Sequence, residues 1–315
     1  MTLLQQIFTE GTFFVILTKV APILLAALGG AFTQQGNILN IGLEGMMLIG
    51  AFASIVVGAA VGNALVGVVA AVAAALVLAT IYALATLWFR ADNIVVGIGI
   101  NLLAAGFSIF LLQVIFGNPG ASPSDSRITL PLVSLGPLGD IPFLGAAVNN
   151  QTALVWLAFL CVPLASLVLY RTSYGVHLRA VGEDEPAALA AGINARRVKT
   201  QSILISGLLC GLAGAQLAMA SLGTFTANMT AGRGFIAVAA LTFGLARPLR
   251  TMVAAFTFGA ADAIADLLGI AGFNSSIALM VPYVVTIVAL VFAGIRFRTR
   301  RQVPEGREEP ASVPA

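Results

Sequence analysis

Charge is the scarcest commodity in this chain of 315 residues: Asp, Glu, Lys and Arg together make up 9%, where a soluble globular chain carries about 25%. So few ionic groups cannot clothe a water-facing surface, and a soluble domain is excluded. Histidine occurs once, as His177, which removes His-based metal sites and nucleophile–His pairs. Cys161 and Cys210 each lie inside an apolar run with no second Cys or His at ligand spacing, so both are expected to be reduced packing residues. Gly-x-x-x-x-Gly-Lys-Ser/Thr and Gly-x-Ser-x-Gly are both absent; the chain cannot cradle ATP by a P-loop and has no nucleophile elbow. A basic leader region is missing too, and Lys19 interrupts the first apolar run. That argues against a cleaved signal peptide, and the amino terminus is expected to stay as a membrane segment.

What is abundant is hydrocarbon. Apolar residues reach 59% and the mean hydropathy is +1.00, in runs near the ~20 residues that a helix needs to cross a ~30 Å hydrocarbon layer. The expected fold is all-α: a polytopic integral membrane protein with about nine transmembrane helices, eight and ten remaining open. The spans fall at roughly 12–32, 38–62, 64–89, 94–116, 152–170, 201–222, 234–246, 251–268 and 276–295. The seventh would cover only about 20 Å, which suggests a half-helix continued by irregular backbone buried in protein. Residues 1–301 read as one membrane domain and 302–315, with Pro304, Pro310 and Pro314, as a disordered tail. Gly58–Gly62 and Gly207–Gly211 have the spacing of close helix contacts.

The net charge of +3 is scattered between apolar runs and forms no nucleic-acid-binding face. It orients the chain instead, because basic residues collect in cytoplasmic loops. Alternate threading puts Arg90, Arg171, Arg179, Arg196, Arg197, Lys199, Arg247, Arg250 and the five arginines from Arg296 to Arg307 on one side, thirteen of sixteen basic residues. The carboxyl end is therefore expected inside and the amino end outside. The proline-broken loop 118–150 then lies outside, and the loop 171–200 inside.

The main intramembrane polar feature is Gly36-Asn-Ile-Leu-Asn-Ile-Gly-Leu-Glu-Gly45. Asn37, Asn40 and Glu44 are spaced i, i+3, i+7, which on a helix forms one stripe that cannot face lipid. It either locks helices together or lines a solute path. Lys19 and Glu44 differ in depth by only about 10 Å on this threading, so an ion pair between them is expected unless Lys19 snorkels outward. Asp262 and Asp266 share a helix face four residues apart. Asp262, Asn101 in the fourth span and Gln216 in the sixth are further candidates to meet a solute. In the inner loop, Glu183, Asp184 and Glu185 precede Pro186, an Ala/Leu run containing Ala188 follows, and Gly192 closes it. These are the start and stop signals of a short helix. Too short to be stable alone, it must pack on its own chain or dock on a partner.

These motifs carry a resemblance. Asn37 to Met47 with Gly50-Ala51, the loop Gly182 to Ile193, and Gly232 to Pro248 resemble, in this order, the permease subunits of ABC importers for nucleosides and simple sugars, in particular nucleoside permeases that work with a basic-membrane-protein-type lipoprotein receptor. The resemblance implies an importer permease fold and no catalytic activity in this chain. It also implies a second permease, related or identical, a separate ATP-binding subunit that holds ATP and Mg, and an extracytoplasmic receptor in a bacterial cell membrane. Residues 183–193 then match the coupling helix, with Glu183, Asp184, Pro186, Ala188 and Gly192 on the transmission surface. The substrate pathway candidates are Asn37, Asn40, Glu44, Asn101 and Asp262. A ribose- or galactose-like substrate, an ion-coupled carrier using Glu44 or Asp262, and a non-transporting scaffold are the alternatives.

Overall fold

The computed structural model describes residues 10–133, 149–220, 223–270 and 284. Ten α-helices occupy most of them: α1 (Glu10–Gln35), α2 (Leu43–Val61), α3 (Ala64–Ala83), α4 (Asn93–Phe116), α5 (Ala153–Arg171), α6 (Ser173–Glu183), α7 (Glu185–Ala190), α8 (Ala195–Met219), α9 (Arg233–Phe243) and α10 (Pro248–Ile270). A π-helical turn, Leu84–Trp88, extends α3. Among the described residues, seven helices are long and apolar enough to cross a membrane, and α9 is the one shorter apolar helix. The expected ninth span and the tail 302–315 lie outside the described residues, apart from Val284.

Local chemistry marks the helix ends. The Asn63 side chain accepts from the Leu65 and Val66 N–H groups at the start of α3, and Asp92 does the same for Ile94 and Val95 at the start of α4. Each cap satisfies orphan donors that a membrane helix cannot leave bare. Gly62 (φ 70°) and Gly117 (φ 68°) end α2 and α4 in the left-handed conformation.

α1, α2 and α8 form the centre, where Leu24, Leu25, Leu28, Met46, Met47 and Ala213 are fully buried. Glycines let backbones meet: a Cβ on Gly211 of α8 would stand 2.7 Å from the Val72 Cα of α3, and one on Gly50 of α2 3.1 Å from the Gly211 Cα. Gly58, Gly207 and Gly211 thus serve close packing, whereas Gly62 has open space around it and serves only as a cap. α4 forms the rim. Its exposed face (Val95, Leu102, Phe110, Val114) is apolar, as a lipid-facing surface should be.

Two expectations need correction here. The sequence pattern places the second span at 38–62 with its polar residues on one helical stripe, but α2 begins only at Leu43. Asn37 takes a left-handed turn (φ 58°), and the Asn40 Oδ1 accepts from the Gly42 N–H at 3.0 Å; these side-chain and backbone turns compete with helix formation. In the loop 171–200, α6 precedes the short helix. It was not anticipated, because Gly175 and Gly182 weaken its helical pattern.

Candidate functional site

α9 has 11 residues, about 16 Å of rise, which is half a bilayer. One end is fixed at the edge of the bundle, where the Gln35 Nε2 donates to the Ala246 carbonyl at 3.0 Å. The other end stops inside the bundle. Its N-cap, Gly232, is left-handed (φ 83°) and supplies no side chain. The missing acceptor comes from another helix. Glu44, in the first turn of α2 and 7% exposed, takes the Gly232 N–H on Oε1 at 2.8 Å and the Gly234 N–H on Oε2 at 2.6 Å. A carboxylate at a helix N-terminus satisfies orphan donors and complements the dipole. Gly234 makes the approach possible, since a Cβ there would lie 2.5 Å from the Glu44 Cα.

The start of α2 is held just as firmly. The Asn101 Oδ1 accepts from the Gly45 N–H at 2.8 Å while its Nδ2 donates to the Ile41 carbonyl at 3.1 Å. The Asn40 Nδ2 donates to the Ser206 Oγ at 3.2 Å. Both asparagines therefore use their amides to hold α2 against α4 and α8. Gln216 accepts from the Thr152 hydroxyl at 2.7 Å and is fully buried. Asn37 is exposed at the end of α1, with its backbone N–H bonded to the Gln34 carbonyl.

A balanced cluster of charges lies beside the α9 cap. Arg233 and Asp262 pair at 3.0 Å, Lys19 stands 3.7 Å from Asp262, and Lys19 also pairs with Asp266. Two cations meet two carboxylates across α1, α9 and α10, which is how ionic groups persist at membrane depth. Lys19 is thus engaged by Asp262 and Asp266, not by Glu44; the pairing expected from depth alone does not form, because Glu44 is turned toward the α9 backbone. Arg233, read from sequence as a loop residue, is the cluster's second cation.

Between α8 and α9 the chain is irregular. Gly223, Asn228, Ala231 and Gly232 all have positive φ. The stretch is tied to the 118–133 segment by the Ser122 N–H donating to the Phe225 carbonyl at 2.8 Å and the Ala227 N–H to the Gly120 carbonyl at 2.8 Å. Phe225 packs edge-on against Phe52 of α2, ring centroids 5.3 Å apart. The expected half-helix with an irregular continuation is seen; that continuation is covered in part, with Phe225 and Thr230 buried and Asn228 and Ala231 exposed.

At the other end of the bundle, α7 spans six residues. Asp184 caps it, accepting from the Ala187 N–H at 3.0 Å, and Glu183 belongs to α6. Ala188 is buried against Val181, Ile193 and Ala195, and Glu185 is paired with Lys199 at 2.5 Å. Leu189 points outward, 54% exposed. Gly192 (φ 81°) closes the helix in open space, with its N–H on the Leu189 carbonyl and that of Ile193 on the Ala188 carbonyl.

The sequence that builds these parts matches a known group. Residues 12–290 match the family described as branched-chain amino acid transport system, permease component. The chain belongs to this permease family. Among its relatives, the guanosine ABC transporter permease protein NupQ of Bacillus subtilis is 36% identical over 87% of this chain and 89% of its own. The nucleoside ABC transporter permease protein NupC of Lactococcus lactis is 36% identical over 85% and 87%. The putative glucose ABC transporter permease protein TsgC13 of Haloferax volcanii is 32% identical over 93% and 94%. The permease is accordingly an integral membrane protein, a transport component of the ABC type.

Proposed function

We propose that this permease forms the translocation pathway of an ATP-driven importer of nucleosides. The observation that carries the reading is the Glu44 carboxylate bound to both the Gly232 and Gly234 N–H groups. A half-helix N-terminus inside a membrane is a ready site for an anionic group of a solute. Here that position is filled from within, and the flanking charges are balanced. An amino acid, with its carboxylate, has no free helix end to bind; a neutral solute needs hydrogen bonds and apolar walls. Two relatives named for guanosine and nucleoside transport support the substrate class.

In this reading the path runs past the Asp262 cluster and down α9. Asn40, Asn101 and Glu44 hold its wall, and Asn37 stands at its inner mouth. The carboxyl end is cytoplasmic and the amino end outside, in a bacterial cell membrane. A separate ATP-binding chain carries ATP and Mg, a second permease completes the pathway, and a lipoprotein receptor delivers the solute. Glu183, Asp184, Pro186 and Gly192 form the surface on which the ATP-binding chain acts, with Ala188 buried beneath it as an anchor and not as a contact, since that chain can favour one permease conformation only through contacts that differ between states. Replacing Gly192 by valine, strained at φ 81°, or deleting 183–193, is expected to leave the protein in the membrane and abolish ATP-driven uptake. Unchanged uptake would remove these residues from the coupling surface.

The 32% identity to a putative glucose permease favours a second reading, a simple-sugar permease. Competition decides between them. In cells carrying the complete transporter, unlabelled guanosine should suppress uptake of labelled nucleoside while glucose does not; suppression by glucose alone would shift the assignment to sugars.

A further inference from the structure

The turn that precedes α9 lies at a depth where its exposure needs explaining. Two lengths measured from the same end of the bundle place it. α9 rises about 16 Å from the end held by the Gln35–Ala246 bond to its Gly232 cap. Asp262, which Arg233 grips, lies about 21 Å along α10 from Pro248. Against a hydrocarbon layer of ~30 Å, the turn is near the middle. Non-helical backbone there must be covered by protein or line water. Yet Asn228 (φ 55°) and Ala231 (φ 45°) are both exposed, and the Asn228 amide makes no side-chain hydrogen bond among the described residues. The α9 N-terminus itself is not the open group, because Glu44 fills it.

The exposure continues in both directions. On one side lie the partly exposed side chains of Lys19 (22%) and Asp266 (40%), which need water as well as each other. On the other, Phe235 (49% exposed) and Thr242 lie seven residues apart on one face of α9. That face leads to a cavity of about 490 Å³ lined in part by Gln34, Gln35, Leu241 and Thr242. A lipid-facing surface in this protein looks different: the exposed side chains of α4 from Ile94 to Phe110 are all apolar, and its one exposed polar side chain, Gln113, stands in the last turn. The α9 lane combines a free amide, an open aromatic ring and a hydroxyl.

We propose that Asn228 and Phe235 are the solute-contacting residues of this lane, the ring stacking on a planar heteroaromatic base and the amide bonding to its polar edge. Neither residue carries charge, which suits a neutral nucleoside and rests on the reading above. Base–aromatic stacking and a directed amide together discriminate a nucleobase from a sugar, which has hydroxyls and no flat face.

The test uses the assembled transporter in proteoliposomes, with Cys161→Ala and Cys210→Ala as background. Cysteines introduced as Asn228→Cys and Phe235→Cys should react with a membrane-impermeant charged thiol reagent, and guanosine should slow the reaction at least fivefold. Leu102→Cys on the α4 rim should stay unmodified. Separately, Asn228→Ala should raise the KM for guanosine about fivefold, the loss of one hydrogen bond. Phe235→Ala should raise it about tenfold and Phe235→Tyr hardly at all, as expected for lost and kept stacking. The proposal is overturned if neither cysteine is modified, if Asn228→Cys instead cross-links to the second permease, or if guanosine gives no protection. Protection by glucose in place of guanosine would keep the lane as a solute path but overturn the base-reading pair, whereas loss of nucleoside uptake in the unmodified transporter would strike the functional reading itself.

Discussion

Replacing Glu44 by alanine is expected to abolish uptake and to lower stability by about 3 kcal/mol or more. Two backbone donors, on Gly232 and Gly234, would lose their acceptor, the Gly234 N–H in a buried place and the Gly232 N–H in a part-buried one. Each unsatisfied buried group costs about 1–3 kcal/mol. Glutamine at the same position keeps one acceptor oxygen and should fall between alanine and the native residue. Aspartate is one methylene too short to reach both groups and should resemble alanine more than glutamine. Thermal unfolding in detergent and uptake in vesicles read the two effects separately. A Glu44→Ala protein with native melting and native uptake would mean that the α9 end is held by something else.

The second large effect is expected at the charge cluster. Asp262→Leu should destabilise by about 3–5 kcal/mol, the usual cost of removing one partner of a buried pair. It leaves Arg233 without its carboxylate and Lys19 with Asp266 alone. The Arg233 and Asp262 side chains are 14% and 9% exposed, so water screens neither well. Adding Arg233→Met to Asp262→Leu removes the stranded cation and should restore most of the lost stability, because replacing a whole buried pair by apolar residues is often near neutral. A double variant that melts no higher than Asp262→Leu would show that Arg233 does not depend on Asp262.

These two sites also show how much the sequence disclosed. Long, mainly apolar runs are enough to locate α1, α3, α4, α5, α8 and α10, because a membrane helix is marked by length and composition even where a few charges interrupt it. The shortness of the run after Gly232 is enough to suggest a half-helix. What periodicity could not supply was where α2 starts. A helical stripe through Asn37, Asn40 and Glu44 assumes helix throughout, and Asn37 at φ 58° breaks that assumption. Partners were harder still. Glu44 was a clear intramembrane acid, but its partners are backbone N–H groups some 188 and 190 residues away, which no side-chain pattern advertises. Lys19 and Asp262 each stood out as misplaced charges; only packing of α1 against α10 brings them together. Asn228 carried no signal, since an asparagine between Ala227 and Met229 reads as an ordinary loop residue. In the loop 171–200, the signals at Asp184, Pro186 and Gly192 mark α7 because capping is local chemistry, written within a few residues.

Uptake through the proposed importer depends on energy arriving from outside this chain. Labelled guanosine accumulation should therefore be measured in proteoliposomes holding this permease alone, and holding it with the proposed ATP-binding, second permease and receptor partners. Accumulation only in the complete assembly and only with ATP is the predicted result. Uphill accumulation by the isolated chain under a proton gradient would contradict it.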